Sequence, residues 1–351
     1  MCARKSRSKF KSVIYLVILC ILLFAGYSTY VAFFKPSIYL DGKKYKFIYV
    51  PTKFTYDELI GMLEEENIIQ DKKTFEWLAK AYDLKNTFKP GRYRVVAGMT
   101  NRQLISSIKT GKQEKVKIVF NAADHTNDDI IKKVVDKLEI TEEELQTFFV
   151  SDTPLRQKYN FTNDNLRCLF IPETYELNWN TSLPEFMKMV EETYLDFWTP
   201  ARKQKAKRCN LSESEVFILA SIVQSESAID EEQQQIAGVY INRINKNMPL
   251  QADPTLIYAV GDFSIQRVRS RDKDIDSPYN TYRNRGLPPG PICLPYPQSI
   301  DAVLNYNKHN FLYFCAKPSL NGYSDYAATY EEHRKFADAY QKEMDRRGIR
   351  R

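Results

Sequence analysis

From Val13 to Phe34 no position is charged and most are apolar. As a helix this stretch is about 33 Å long, against roughly 30 Å for the hydrocarbon core of a bilayer. Downstream the pattern becomes that of short mixed elements. Tyr45 to Val50 reads as a strand ended by Pro51, and Thr55 caps a helix whose apolar positions are Leu59, Ile60, Met62 and Leu63. A second helix follows from Lys72 to Tyr82. After the turn Lys89-Pro90-Gly91, the residues Arg92-Tyr93-Arg94-Val95-Val96 alternate like a strand. Gly98-Met99-Thr100 leads into a helix from Asn101 to Lys109, which Gly111 stops. Lys115 to Phe120 is a further strand, with helices at 127–138 and 141–150, then an amphipathic helix from Ser182 to Phe197 carrying Phe186, Met189, Val190, Tyr194 and Leu195 on one face. The basic run Arg202 to Arg208 reads as solvated surface.

The most informative helix opens at Ser212, where Ser212 and Glu215 form a capping box. It runs through Val216-Phe217-Ile218-Leu219-Ala220-Ser221-Ile222-Val223 to Glu226 and is apolar around most of its circumference, which predicts a core helix. Leu219, Ile222, Val223 and Glu226 share a face, so a carboxyl continues an apolar stripe. Burial there disfavours the charged form and raises the pKa, the state needed to protonate a leaving oxygen. Periodicity alone leaves a second reading open, in which Glu226 ends the helix and faces solvent. A second apolar helix covers Ile236 to Arg243, and loops dense in Pro, Gly, Asn, Thr and Tyr follow at 248–258, 277–282 and 286–292. Such loops suit a rigid, aromatic-lined cleft for carbohydrate, or an irregular surface.

Charge fixes the orientation of the apolar stretch. The net charge is +7, and Arg4, Lys5, Arg7, Lys9 and Lys11 precede the stretch, so the short N-terminus stays in the cytoplasm and everything after Pro36 is exported. A cleaved signal peptide is the competing reading. It asks for a shorter apolar region and a small-x-small site, which Tyr30-Val31-Ala32-Phe33-Phe34 lacks. Cys2 precedes the stretch and is no lipoprotein cysteine. The remaining chain is nearly charge-balanced, which speaks against nucleic acid as a partner. Six cysteines and three histidines show no metal-ligand spacing, so neither metal nor cofactor is expected. With 23 Tyr and 20 Phe, the chain has aromatics for cores and for stacking on sugars alike.

Several blocks, in order, carry a resemblance. Residues 220–227, ASIVQSES, are similar to the catalytic-helix motif A-S-I-[IV]-E-K-E-[TA] of the endolytic murein transglycosylases, the MltG or YceG-like family. Its second glutamate matches Glu226, and its first is Gln224 here. AGVYINR at 237–243, MPLQADPTLIY at 248–258, SPYNTY at 277–282, GLPPGPI at 286–292, LYF at 312–314 and Glu332-His333 near the end follow suit. LFIPETY at 169–175 resembles the family's L-F-P-D-T-Y, with Glu173 in place of aspartate. Where the family has Gly-His-x-Phe, this chain reads Gly322-Tyr323-Ser324-Asp325. Residues 89–111 resemble a LysM-like segment, a glycan-binding module or a structural spacer.

The resemblance implies an α+β chain: a cytoplasmic tail (1–12), a transmembrane anchor (13–34) in the bacterial cytoplasmic membrane, a small LysM-like α+β domain (38–115) and a larger mixed α+β catalytic domain (116–345). It implies cleavage of the β-1,4 bond between N-acetylmuramic acid and N-acetylglucosamine within peptidoglycan strands, with Glu226 as catalytic acid and then base, and cell-wall synthesis proteins as partners. The candidates for holding sugars are Gln251, Asp253, Thr255, Tyr258, Tyr279, Asn280, Thr281, Tyr282 and Glu173, each with loop scaffolding as its other reading. Two alternatives stand beside it: a lysozyme-like hydrolase, with Glu173 or Asp253 as second carboxylate, and a non-catalytic glycan-binding scaffold.

Overall fold

A computed structural model describes residues 3–265 and 268–348; Cys2 lies outside them. The chain is mixed α+β, mostly helical, with small two-stranded sheets. It divides into two compact units, Met1–Val116 with Glu176–Thr181 and Lys117–Tyr175 with Ser182–Arg351.

The first unit begins with α1 (Ala3–Phe34), whose segment Val13–Phe34 is long and apolar enough to cross a membrane. Strands β1 (Tyr45–Val50) and β2 (Gly91–Val96) pair antiparallel with Tyr45 opposite Val96 and Val50 opposite Gly91. Alternation sends Ile48, Val50, Tyr93 and Val95 into the core, where all four are fully buried. On the outer face the Arg92 and Arg94 guanidinium groups lie over the rings of Phe47 and Tyr45, at 3.4 and 4.3 Å. Helices α2 (Tyr56–Glu65), α3 (Lys72–Ala81), the single turn α4 (Leu84–Thr87) and α5 (Asn101–Thr110) complete the unit. Their starts are set by Thr55, Asp71 and Thr100, each accepting an amide of the first turn, and Gly111 closes α5 in the left-handed region. Leu59, Leu63, Phe75, Leu78 and Ile105 are their fully buried contribution to the core.

Strand β3 (Val116–Val119) pairs with β4 (Thr174–Leu177), and the second unit holds the helices α6 (Asn127–Val135), α7 (Glu142–Val150), α8 (Pro154–Tyr159), α9 (Leu183–Phe197), α10 (Pro200–Arg208), α11 (Glu213–Glu226), α12 (Asp230–Asn245), α13 (Asp253–Val260) and α14 (Pro297–Leu304). The antiparallel pair β5 (Tyr313–Ala316) and β6 (Ser324–Ala327) and the last helix α15 (Tyr330–Arg346) complete it. The core helix is α11. Val216 to Val223 are buried without a break, and α10, α12, α13 and α14 pack around it. A run apolar on every side has no face to give to solvent, so neighbours must cover all of it.

Two expectations change. The basic run 202–208 is helical, and Arg202 is not merely solvated: it grips Asp301 of α14 through two bonds of 2.8 and 2.9 Å. Residues 253–260, read as loop, form α13. Pro254 stands in the first turn, where its fixed φ suits a helix and its missing N–H is not needed, and Gly261 stops the helix at φ +78°. Asp253, Thr255 and Tyr258 therefore share a helix.

Candidate active site

Glu226 occupies the last turn of α11, with Ser227 capping it. The residue keeps partial solvent access, while its carboxyl is enclosed well enough that burial is the main influence on it. Burial raises its pKa to about 7. A hydrogen bond from Tyr240 opposes the rise, the negative charge of Asp253 adds to it, and Arg243 opposes it. The position works in the same direction as burial, because the C-terminal end of a helix is its negative end. Near neutral pH this carboxyl populates both protonation states, as a group that gives and then retrieves a proton must.

The groups around Glu226 come from α12, the start of α13 and the loop at 277–282. Tyr240 is buried on α12, fourteen residues on, and its hydroxyl donates to Glu226 Oε1 at 2.7 Å. Burial first, then the facing carboxyl, holds the Tyr240 pKa well above its ordinary value, so the phenol remains a donor. Arg243, one helical turn further, is buried and donates to the carbonyls of Leu312 and Leu250, both at 2.6 Å. It ties α12 to the chain entering α13 and to β5 while placing a positive charge near the carboxyl. Tyr282 donates to Asp253 Oδ1 at 2.6 Å, and Glu226, Asp253 and Arg243 all act on its pKa, which burial raises. Glu226, Tyr240, Arg243, Asp253 and Tyr282 thus form one electrostatic cluster.

Beside it lies a cavity of about 170 Å³ lined by Ser225, His125, Pro254, Tyr258, Phe263 and Ile292. His125 stacks on Phe263 at 4.0 Å, and Tyr258 packs on Tyr279 at 4.5 Å. The wall formed by 286–292 is fixed from several sides. Buried Arg167 donates to Pro291 O and to the Tyr258 hydroxyl, Ser221 of α11 accepts the Ile292 amide at 3.0 Å, and His125 Nδ1 meets Ile292 O at 2.9 Å. Gly290 passes so near Asp164 that a Cβ would sit 2.0 Å from its carbonyl oxygen. Only glycine allows that approach.

The remaining candidates separate by where their polar atoms go. Thr255 and Thr281 are buried and bond each other at 2.8 Å; Thr255 also donates to Ala252 O, and Thr281 accepts the Ala252 amide. Asn280 is fully buried, donates to the carbonyls of Lys273 and Ile275 and accepts the Tyr282 amide. These three shape the loop that presents Tyr282. Gln251 is exposed and left-handed at φ +52°, its amide bonded to Thr281 O. Glu173 is exposed at the entry to β4, and the charges acting on Glu226 are those of Asp253 and Arg243. Gln224, where the motif has its first glutamate, accepts from the Ser299 hydroxyl at 2.5 Å and joins α11 to α14. Tyr323 is exposed, and His333 stacks on Tyr313. Among the described residues no His, Cys, Asp and Glu gather into a group able to hold a metal ion.

Tyr240, Arg243, Arg167 and His125 were not singled out from the sequence. The signal was present for three of them. A tyrosine or arginine inside an apolar helical run, or an arginine in the apolar stretch Leu166–Ile171, must find a partner when buried. His125 carried no such mark.

A helix-borne carboxyl with a raised pKa, beside an aromatic-lined cavity on an α+β frame, is able to exchange a proton near neutral pH. The chain belongs to the YceG-like family, whose pattern matches residues 48–339. It is 30% identical over 318 residues to the endolytic murein transglycosylase of Bacillus subtilis (strain 168), covering 86% of each chain. It is 28% identical to the endolytic murein transglycosylase of Streptococcus pneumoniae (strain ATCC BAA-255 / R6) over 91% of its own length and 63% of that protein's, so it spans less than two thirds of the streptococcal chain. The 2.6 Å crystal structure of a putative yceG-like protein from Listeria monocytogenes shares its fold, with a TM-score of 0.54 at 24% identity, covering 84% of this chain and 99% of that one.

Proposed function

We propose that this chain is an endolytic peptidoglycan lytic transglycosylase, held at the bacterial cytoplasmic membrane by residues 13–34 with its second unit outside the cytoplasm. The observation that carries the reading is the Glu226 carboxyl, raised to about 7 by burial and held by the Tyr240 hydroxyl. The protonated carboxyl gives its proton to the glycosidic oxygen as the bond from C1 of N-acetylmuramic acid breaks. The resulting carboxylate takes the proton of the C6 hydroxyl of the same sugar as that oxygen bonds to C1. A 1,6-anhydro end forms, the next sugar leaves with a free 4-hydroxyl, no water is consumed, and Glu226 returns protonated. One carboxyl serves twice, so no second carboxylate is required. Cuts inside strands end their elongation, which makes cell-wall synthesis proteins the natural neighbours. Asp253, Tyr282, Tyr258 and Tyr279 are the sugar-contacting candidates, and Gln251 lies exposed near them; residues 38–115 carry the LysM-like resemblance and residues 116–345 the chemistry.

Mass spectrometry of peptidoglycan digested by the purified protein, beside Glu226→Gln, tests this. Anhydro ends that vanish in the variant support it. Reducing ends support the lysozyme-like hydrolase instead, and Asp253 is the observation favouring that second reading, since its charge acts directly on Glu226. Unchanged glycan strands in cells carrying Glu226→Gln would leave only a binding or scaffold role.

A further inference from the structure

Where α1 ends, the chain does not pass into a free tether. The amides of Ser37 and Ile38 both donate to Met99 O, at 3.2 and 3.1 Å, and the Asn101 amide donates to Ser37 Oγ at 2.9 Å. Ala32 is buried, and Phe33 meets Trp77 of α3 edge-on at 6.1 Å. The end of α1 is therefore locked to α3 and to the start of α5 within the first unit, and what lies beside Phe34 is held at a set depth. Beside it is a cavity of about 700 Å³, larger than the one lined by Ser225 and Tyr258. Phe33 and Phe34 line one part of it; Arg102, Ser106, Ser107 and Lys112 line another, and no acidic residue lines it. Neither Arg102 nor Lys112 has an acidic partner among the described residues, whereas Lys46, Lys72 and Arg94 of the same unit are all paired.

We propose that this cavity binds the headgroup of an anionic phospholipid of the leaflet into which α1 emerges. The inference rests on reading Val13–Phe34 as a membrane span. With the span ending at Phe34, the cavity lies at headgroup depth. Its lining has the amphiphilic order of a lipid at that depth: two phenylalanines toward the acyl side, then two unpaired cations and two serine hydroxyls for the phosphodiester. A bound lipid orients the first unit against the bilayer and adds a second, electrostatic hold beside the apolar helix.

The full chain, carrying a photoreactive benzoylphenylalanine at Thr110, an exposed residue of the lining, is placed in nanodiscs of equal phosphatidylcholine and phosphatidylglycerol, and the lipid captured on irradiation is identified by mass spectrometry. Phosphatidylglycerol is expected to be captured in about tenfold excess. The double variant Arg102→Gln/Lys112→Gln should bring the ratio to parity, while the charge-matched control Lys53→Gln/Lys85→Gln keeps the excess. All four substituted positions are exposed, so folding is not at stake. Equal capture by the unsubstituted chain, or an excess that survives loss of Arg102 and Lys112, overturns the proposal. If no lipid is captured and the protein leaves membranes on alkaline carbonate washing, the reading of α1 as a span has failed, and the headgroup site with it.

Discussion

Two carboxyl groups only six residues apart have been put to different uses. Glu232, in the first turn of α12, is buried and accepts two hydrogen bonds, from the Ser324 amide at 2.8 Å and the Tyr326 hydroxyl at 2.9 Å, which fasten β6 to the helix. Glu226, at the last turn of α11, receives one, from Tyr240, and keeps partial access to solvent. A buried carboxyl that accepts bonds from two donors acts as a structural anchor, because each donor offsets part of its lost hydration. One with too few is pushed toward its protonated form, and the missing donors leave room for a substrate. Helix polarity adds to the contrast, since Glu232 sits at the positive end of its helix and Glu226 at the negative end of its own.

The comparison breaks most visibly by substitution. Glu226→Gln is expected to lower glycan cleavage by roughly 10²–10⁴-fold, the usual worth of a general acid/base, with thermal stability kept or raised. Muropeptide analysis and a melting curve together check this, and a variant that still releases anhydro products removes Glu226 from the chemistry. Glu232→Ala should do the reverse. Leaving the Ser324 amide and Tyr326 hydroxyl without their acceptor costs about 3 kcal/mol of stability, while the folded fraction keeps its cleavage rate per molecule. Equal loss of rate in both variants would mean that the two sites are not functionally distinct.

Titration gives Glu226 a signature of its own. A carboxyl whose pKa rises from 4.5 unfolded to about 7 folded binds protons more tightly in the native state. Its contribution to stability is fully present below pH 4.5 and is lost as pH rises toward 7, amounting to about 3 kcal/mol over that window. Melting temperatures measured from pH 4.5 to 8 should therefore slope downward in the unsubstituted chain relative to Glu226→Gln, in which the slope contributed by this group is absent. Parallel curves would show that burial does not perturb the group. The rate of cleavage should trace a bell, with its basic limb near 7 as Glu226 loses its proton.

Much of this was legible along the chain because the controlling interactions are local. Strand β1, the cap at Thr55, the capping box at Ser212, the Gly111 stop and the apolar circumference of α11 all follow from neighbours in sequence, and they put Glu226 at the end of a core helix. What was not legible depends on contacts between distant segments. Thr255, Asn280 and Thr281 look from sequence like sugar ligands, since polar residues in Pro-rich loops are compatible with either role. Only the fold shows that their bonds close on Ala252, Lys273 and Ile275 and on each other. Arg167 likewise reads as a stray charge in an apolar run until Pro291, far along the chain, supplies its acceptor. The helix at 253–260 was hidden by Pro254, whose meaning reverses between the first turn of a helix and its interior.

The finest probe of the contrast is the single donor on Glu226. Tyr240→Phe removes one hydroxyl from a buried ring that also packs edge-on against Phe314, so the helix packing is retained. Because that hydrogen bond lowers the Glu226 pKa, its loss should raise it, and the basic limb of the rate profile should move to higher pH. The carboxyl also loses the contact that orients it, and a decline of about tenfold at the optimum is expected, smaller than for Glu226→Gln. The paired change of limb and height distinguishes a hydroxyl that tunes and aims the acid from one that only fills space: a profile of unchanged shape, merely scaled down, would assign Tyr240 to packing. With that variant the carboxyls form a graded set, none, one and two donors on Tyr240→Phe Glu226, native Glu226 and Glu232. The pKa of Glu226 should be higher in Tyr240→Phe than in the native chain if hydrogen-bond supply, beyond burial itself, tunes the chemical carboxyl.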